Sequence, residues 1–153
     1  MKNIVKLIVS ILICEGAGIV GSIFTVPAIK TWYASLNKPF FSPPNWIFAP
    51  VWIVLFLLMG ISLYLVWASP RLKKDAVLIF ILQLILNVLW SIIFFGLKSP
   101  GLALFEILML WFAILYTIVN FYRISKSASF LLLPYILWVT FAAILNFAVW
   151  RLN

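Results

Sequence analysis

Histidine is absent from this chain, and acidic residues nearly so: three Asp and Glu among 153 residues, with a single cysteine. Without histidine there is no supply of the commonest metal ligand, the usual general base or the usual haem axial ligand. Three carboxylates cannot build a carboxylate-rich metal site. One cysteine allows no internal disulfide and leaves the redox compartment unread. No glycine-rich phosphate loop and no Ser-His-Asp set is present. Hydrolytic and metal-dependent catalysis therefore have no residues to run on. Charge itself is scarce, at 9% of residues, while 67% are hydrophobic. Soluble domains carry about a quarter charged residues. A chain of this length cannot hide so much apolar surface from water, so its solvent is lipid.

Uncharged runs extend from Pro39 to Pro70, from Ala76 to Leu97 and from Ser127 to Trp150. Each reaches the roughly 20 residues that a helix needs to cross the hydrocarbon core. A membrane barrel would alternate with period two, which these runs do not. The expected fold is all-α, a single bundle of five transmembrane helices, over about residues 4–26, 45–68, 75–96, 101–122 and 129–150. Ser69-Pro70-Arg71, Lys98-Ser99-Pro100-Gly101 and Ser125-Lys126-Ser127 supply the later turns, with Pro and Gly where helices stop. No internal repeat is evident, and five spans do not divide into the paired halves of many transporters. The spans hold no ring of charge, which leaves ion conduction poorly supported.

The net charge of +8 is scattered over loops and ends rather than gathered on a nucleic-acid face, so no nucleic-acid partner is expected. Lys2, Lys6, Arg71, Lys73, Lys74, Arg123 and Lys126 fall on one side of the spans. Lys30, Lys38, Lys98 and Arg151 fall on the other. This bias favours a cytoplasmic N-terminus with the first loop outside. Lys2 and Lys6 ahead of an apolar run resemble a signal segment, but Glu15 inside that run fits a retained helix better.

Helical spacing groups residues into mixed stripes: Ile11, Glu15, Gly18, Ser22 and Thr25; Trp52, Phe56 and Met59; Gln83, Asn87, Trp90 and Phe94; Trp138, Ala142, Leu145 and Asn146. A lipid-facing stripe would be plain Leu, Ile or Val. Polar groups in hydrocarbon turn inward. Gln83 and Asn146 read first as interhelical glue, worth about 0.6 kcal/mol each. Asn87 reads equally as glue or as pocket lining. Glu106, about one turn into its helix, reads as a helix-end stabiliser at the interface. Glu15 lies deeper and should be either neutral or paired with a neighbouring helix. Ala17/Gly21 and Gly18/Ser22 are small-residue pairs suited to close helix approach, within the bundle or in a dimer.

The connection over residues 27–44, with the start of the next span, is dense in Trp and Pro: Trp32, Pro39, Pro43, Pro44, Trp46, Pro50 and Trp52. It reads as a folded lid. Trp67, Trp111 and Trp150 suit an interfacial belt. Trp52 and Trp138 sit about two turns inside their spans beside small or polar residues. Pocket wall and ordinary packing both account for them.

The motifs Trp32-Tyr33-x-x-Leu36-x-Lys38-Pro39, Pro43-Pro44-x-Trp46-x-x-x-Pro50-Val51-Trp52, Met59-Gly60, Asn87-x-x-Trp90, Phe94-Phe95-Gly96 and Pro134-Tyr135-x-x-Trp138-x-x-Phe141-Ala142-x-x-Leu145-Asn146-x-x-x-Trp150-Arg151-x-Asn153 are ordered and spaced as in one known family. The chain resembles the tryptophan-rich sensory protein and translocator protein family, once called peripheral-type benzodiazepine receptors. That resemblance implies a five-helix bundle, often a homodimer, with a pocket beneath the first loop. It implies no required cofactor, protoporphyrin IX as ligand, and a role as membrane receptor for porphyrins and related flat apolar molecules in tetrapyrrole or stress response. Transport of tetrapyrroles or lipids is the alternative.

Carried over residue by residue, the resemblance puts Tyr33, Trp52, Phe56, Asn87, Phe94, Trp138, Ala142 and Leu145 around the ligand. It gives Trp52 and Trp138 a photochemical part in porphyrin breakdown. Lys30 or Lys38 would meet the porphyrin's acid edge. Two departures stand out. Phe147 replaces the Tyr of the animal cholesterol motif, which argues against a sterol partner. Leu102 stands where many animal members carry Trp, so that pocket wall should differ.

Overall fold

Proline does not end the first helix. In the computed structural model, which describes residues 2–153, α1 spans Lys2–Lys30 and runs straight through Pro27. The sequence reading stopped it at residue 26. A membrane helix tolerates proline when neighbouring groups absorb the freed backbone. Pro27 has no N–H to donate to the Ile23 carbonyl, and α1 continues past that missing bond to Lys30.

The chain is an all-α membrane bundle. Among the described residues, five helical stretches are long and apolar enough to cross a bilayer: Lys2–Lys30, Asn45–Trp67, Lys74–Gly96, Pro100–Tyr122 and Lys126–Leu152. A one-turn helix, α2, occupies Trp32–Ser35. The expected lid over 27–44 is thus helical in its first part, with irregular chain left only between Leu36 and Pro44. Next come α3, Asn45–Trp67, and α4, Lys74–Ser91. A π-helical turn over Ile92–Gly96 extends α4. The last span is broken at Leu132 into α6, Lys126–Leu131, and α7, Leu133–Leu152, after α5, Pro100–Tyr122. Pro134 explains the break, because it has no N–H to bond back to the preceding turn and suits the first turn of a new helix.

Packing runs in a ring. α1 lies against α3 and α4, α4 against α5, and α5 against α7. α3 closes the ring on α6 rather than along α7. Polar bonds fasten that end. Ser62 donates to the Ala128 carbonyl at 2.7 Å, and Ser129 to the Ile118 carbonyl at 3.0 Å. Phe80 and Phe121 stack between α4 and α5 at 5.6 Å. Trp111 is half-buried, not a plain belt residue; its indole donates to Thr140 at 2.8 Å and ties α5 to α7.

Glu106 departs from the sequence reading. It is 3% exposed, inside the bundle, and neither carboxyl oxygen has a protein partner. Counting residues from the helix start put it near the interface. The α5 face it occupies is nonetheless buried from Ala103 to Leu110.

α1 and α3 come together where Gly60 meets Ile11. A Cβ on Gly60 would stand 2.7 Å from the Ile11 Cα, so only glycine permits the approach. The Gly60→Ala variant is expected to force the helices apart and lose about 1–3 kcal/mol of stability. Thermal unfolding in detergent reads this as a lowered Tm. An unchanged Tm would show that the crossing relaxes freely.

Candidate ligand cavity

Toward the lid the helices part, and a cavity of about 320 Å³ lies between α1, α3, the α4 π-turn extension and α7. Tyr33, Trp52, Phe56, Asn87, Phe94, Trp138, Ala142 and Leu145 all contribute to its wall. Four helices are therefore needed to bring together what the sequence scatters over more than a hundred positions.

The deep end is built on a polar knot. The buried Tyr135 hydroxyl accepts from the Asn87 amide at 2.8 Å and donates to Gln83 Oε1 at 2.8 Å. Gln83 in turn points its amide at the Met59 sulfur, 3.9 Å away. Gln83 is glue. Asn87 is glue and lining at once, because it reaches both Tyr135 and the cavity. Asn146 has the same double part nearer the lid. It accepts from the Trp90 indole at 3.0 Å and donates to the Pro100 carbonyl at 2.7 Å.

Trp90 is a wall residue that the site assignment omitted, although it shares the helical stripe of Asn87 and Phe94. It stacks on Phe94 at 5.1 Å. The π turn below the lid was not legible at all. Leu97 donates to the Ile92 carbonyl at 2.8 Å, five residues back. Such widened turns recur at functional sites. Phe94 and Phe95, neighbours in sequence, are both buried against the cavity here.

Trp52 and Trp138 are half-buried, and neither indole N–H is engaged by another described residue, unlike that of Trp90. Trp52 lies 5.5 Å from Phe56 and 6.3 Å from Tyr135. Trp138 lies 6.3 Å from Phe48 and 5.4 Å from Phe141. Gly18 leaves room for Phe56, since a Cβ there would stand 2.6 Å from its ring.

Tyr33 anchors the lid. It is 2% exposed and packs edge-on to Phe48 and Phe95 at 6.4 and 5.9 Å. Its hydroxyl has no partner of full hydrogen-bond geometry. Burial pushes the phenol's pKa up, a shift that Ser42 partly opposes. Lys38 does not reach into the cavity. Its ammonium donates to the carbonyls of Tyr33 and Leu36 at 2.8 and 3.3 Å and sits 4.8 Å over the Tyr33 ring. Lys30 is exposed at the end of α1, outside the cavity wall. Of the two expected anchors for an acid edge, Lys38 is engaged by the lid and Lys30 lies outside the cavity wall. A paired amide contact ties the lid to the end of α7. The Asn37 N–H donates to Asn153 Oδ1, and Asn153 Nδ2 donates to the Asn37 carbonyl, both at 2.9 Å.

The cavity is not closed on all sides. Ile19 and Ile53 line it while remaining 64% and 59% exposed, so it reaches the lipid-facing surface between α1 and α3. Leu102 faces outward and forms no wall; Phe147 likewise faces lipid.

Residues 10–151 match the model of the TspO/MBR family. The chain belongs to that family. It is 49% identical over 152 residues to a tryptophan-rich protein TspO of Archaeoglobus fulgidus, covering 99% of each chain. Likeness to the human translocator protein is 41% over 138 residues, covering 88% of this chain and 82% of the other. To a tryptophan-rich sensory protein of Cereibacter sphaeroides it is 36% over 122 residues, covering 80% and 77%. TspO/MBR membership and the five apolar helices together make this an integral membrane protein.

Two outcomes follow from the cavity's polar contacts. Tyr135→Phe strands Gln83 Oε1, and should cost about 1–3 kcal/mol. Unfolding in detergent with unchanged stability would deny the knot that role. Asn153→Ala removes lid bonds worth about 0.5–1.5 kcal/mol each. Amide exchange across Thr31–Asn37 should then quicken several-fold, and identical exchange in both proteins would mean that the amide pair does not hold the lid.

Proposed function

We propose that this TspO/MBR protein is a membrane receptor for porphyrins such as protoporphyrin IX and related flat apolar ligands. The observation that carries the reading is a cavity walled by stacked and edge-on aromatics, with the Trp52 and Trp138 indole N–H groups unengaged among the described residues. Flat faces suit aromatic walls. The cavity lies at the small end of the roughly 300–1,000 Å³ of small-molecule sites. A macrocycle therefore seats with one edge in the gap between α1 and α3. Its acid edge lies toward the lid, where burial keeps Tyr33 a proton donor.

Light-driven loss of the porphyrin is a subordinate part of this proposal. Trp52 and Trp138 would exchange electrons with the excited macrocycle. The protein would act as a homodimer in a prokaryotic cell membrane, with a cytoplasmic N-terminus and the lid outside, in keeping with the lysine and arginine bias.

The test is dark titration of protoporphyrin IX into the protein in lipid nanodiscs, read by tryptophan quenching and followed by illumination. Saturable binding is expected. Trp52→Phe with Trp138→Phe should lower light-driven loss by at least about tenfold while leaving the fold intact. Absence of saturable binding overturns the receptor reading, and undiminished loss in the double variant removes the indoles from the photochemistry. The opening between α1 and α3 favours a second reading, translocation between bilayer and cavity. Porphyrin flux in sealed vesicles would establish it.

A further inference from the structure

Glu15, half-buried midway along α1, is the only Asp, Glu, Lys or Arg among the described residues of the cavity wall. Its carboxyl makes no hydrogen bond or ion pair with another described residue. Apart from the Tyr33 phenol at the lid end, the other ionisable groups lie outside the wall. Cys14 is buried in the core, Glu106 lies outside the cavity, and Lys38 is held by the lid carbonyls. Lys30 is fifteen residues further along α1, roughly 22 Å away by helical rise. Lys6, the nearest cation along α1, donates to the Trp67 carbonyl at 3.3 Å.

An acid without a partner in hydrocarbon is costly and marks a functional position. One turn beyond Glu15, Gly18 receives the ring of Phe56, and Phe56 lies against Trp52. A carboxyl beside aromatic faces is the arrangement that recognises a cation, through charge-assisted hydrogen bonding together with attraction to the rings. We infer that the deep end of the cavity selects flat aromatic ligands that carry a cationic or N–H-donating nitrogen, with Glu15 as the acceptor. This rests on the cavity being a ligand site, but not on the ligand being a porphyrin. A porphyrin would satisfy Glu15 only through its ring N–H groups and would keep its carboxylates at the far end.

The test compares two tricyclic probes, cationic proflavine and uncharged anthracene, on the full chain in nanodiscs of zwitterionic phosphatidylcholine. Binding to empty nanodiscs is subtracted. The wild-type protein should hold proflavine roughly ten- to hundredfold more tightly than anthracene, the range of a charge-assisted bond. Glu15→Gln should erase that ratio and leave anthracene affinity unchanged. Equal affinities in the wild-type protein overturn the inference without recourse to any variant, as does a ratio that survives Glu15→Gln. Protoporphyrin IX measured on the same samples separates the two proposals. Its failure to bind, with the proflavine ratio intact, overturns only the porphyrin reading. Its binding without a proflavine preference overturns only this one.

Discussion

Gly60 against Ile11 is the contact on which the remaining architecture depends. Lipid supplies no hydrophobic force between helices, so they associate by close packing and polar bonds. Below this crossing α1 and α3 are tight, and α3 is bonded through Ser62 to α6. Above it they meet once more, where Gly18 receives the Phe56 ring. They separate, and aromatic side chains from α3, α4 and α7 border the opened space instead of filling it. The cavity is the space left between those aromatic walls, bridged toward the lid by the Asn146 and Asn37–Asn153 bonds.

Much of this was legible in the residues. Uncharged runs located the spans, because hydrocarbon allows few other readings. The stripe of Gln83, Asn87, Trp90 and Phe94 gave the inward face of α4, since a polar group in lipid has to turn inward. Local rules failed where tertiary context replaced them. The first span was expected to end at residue 26, yet α1 runs on past Pro27 to Lys30. The π turn at Ile92–Gly96 has no sequence signature. Glu106 was placed by distance along its helix, when the face it occupies decided its burial.

Charge tells a similar story. Lys38 was expected to meet a ligand because it is a cation in a lid. Three nearby acceptors, two carbonyls and the Tyr33 ring, claim it first. What a lysine near a pocket does depends on which lone pairs are closer, and sequence does not give that. Glu15 is the opposite case, an acid that no protein group claims.

The Asn37–Asn153 pair has a mechanical meaning. The loop that covers the cavity is stitched to the end of the helix that supplies Trp138, Ala142 and Leu145 to its wall. Roof and wall are therefore one linkage. Any displacement of the loop must either part those two amides or drag on α7, whose other end is the break at Leu132. A molecule arriving under the roof therefore meets a loop and a helix joined at one end of the cavity.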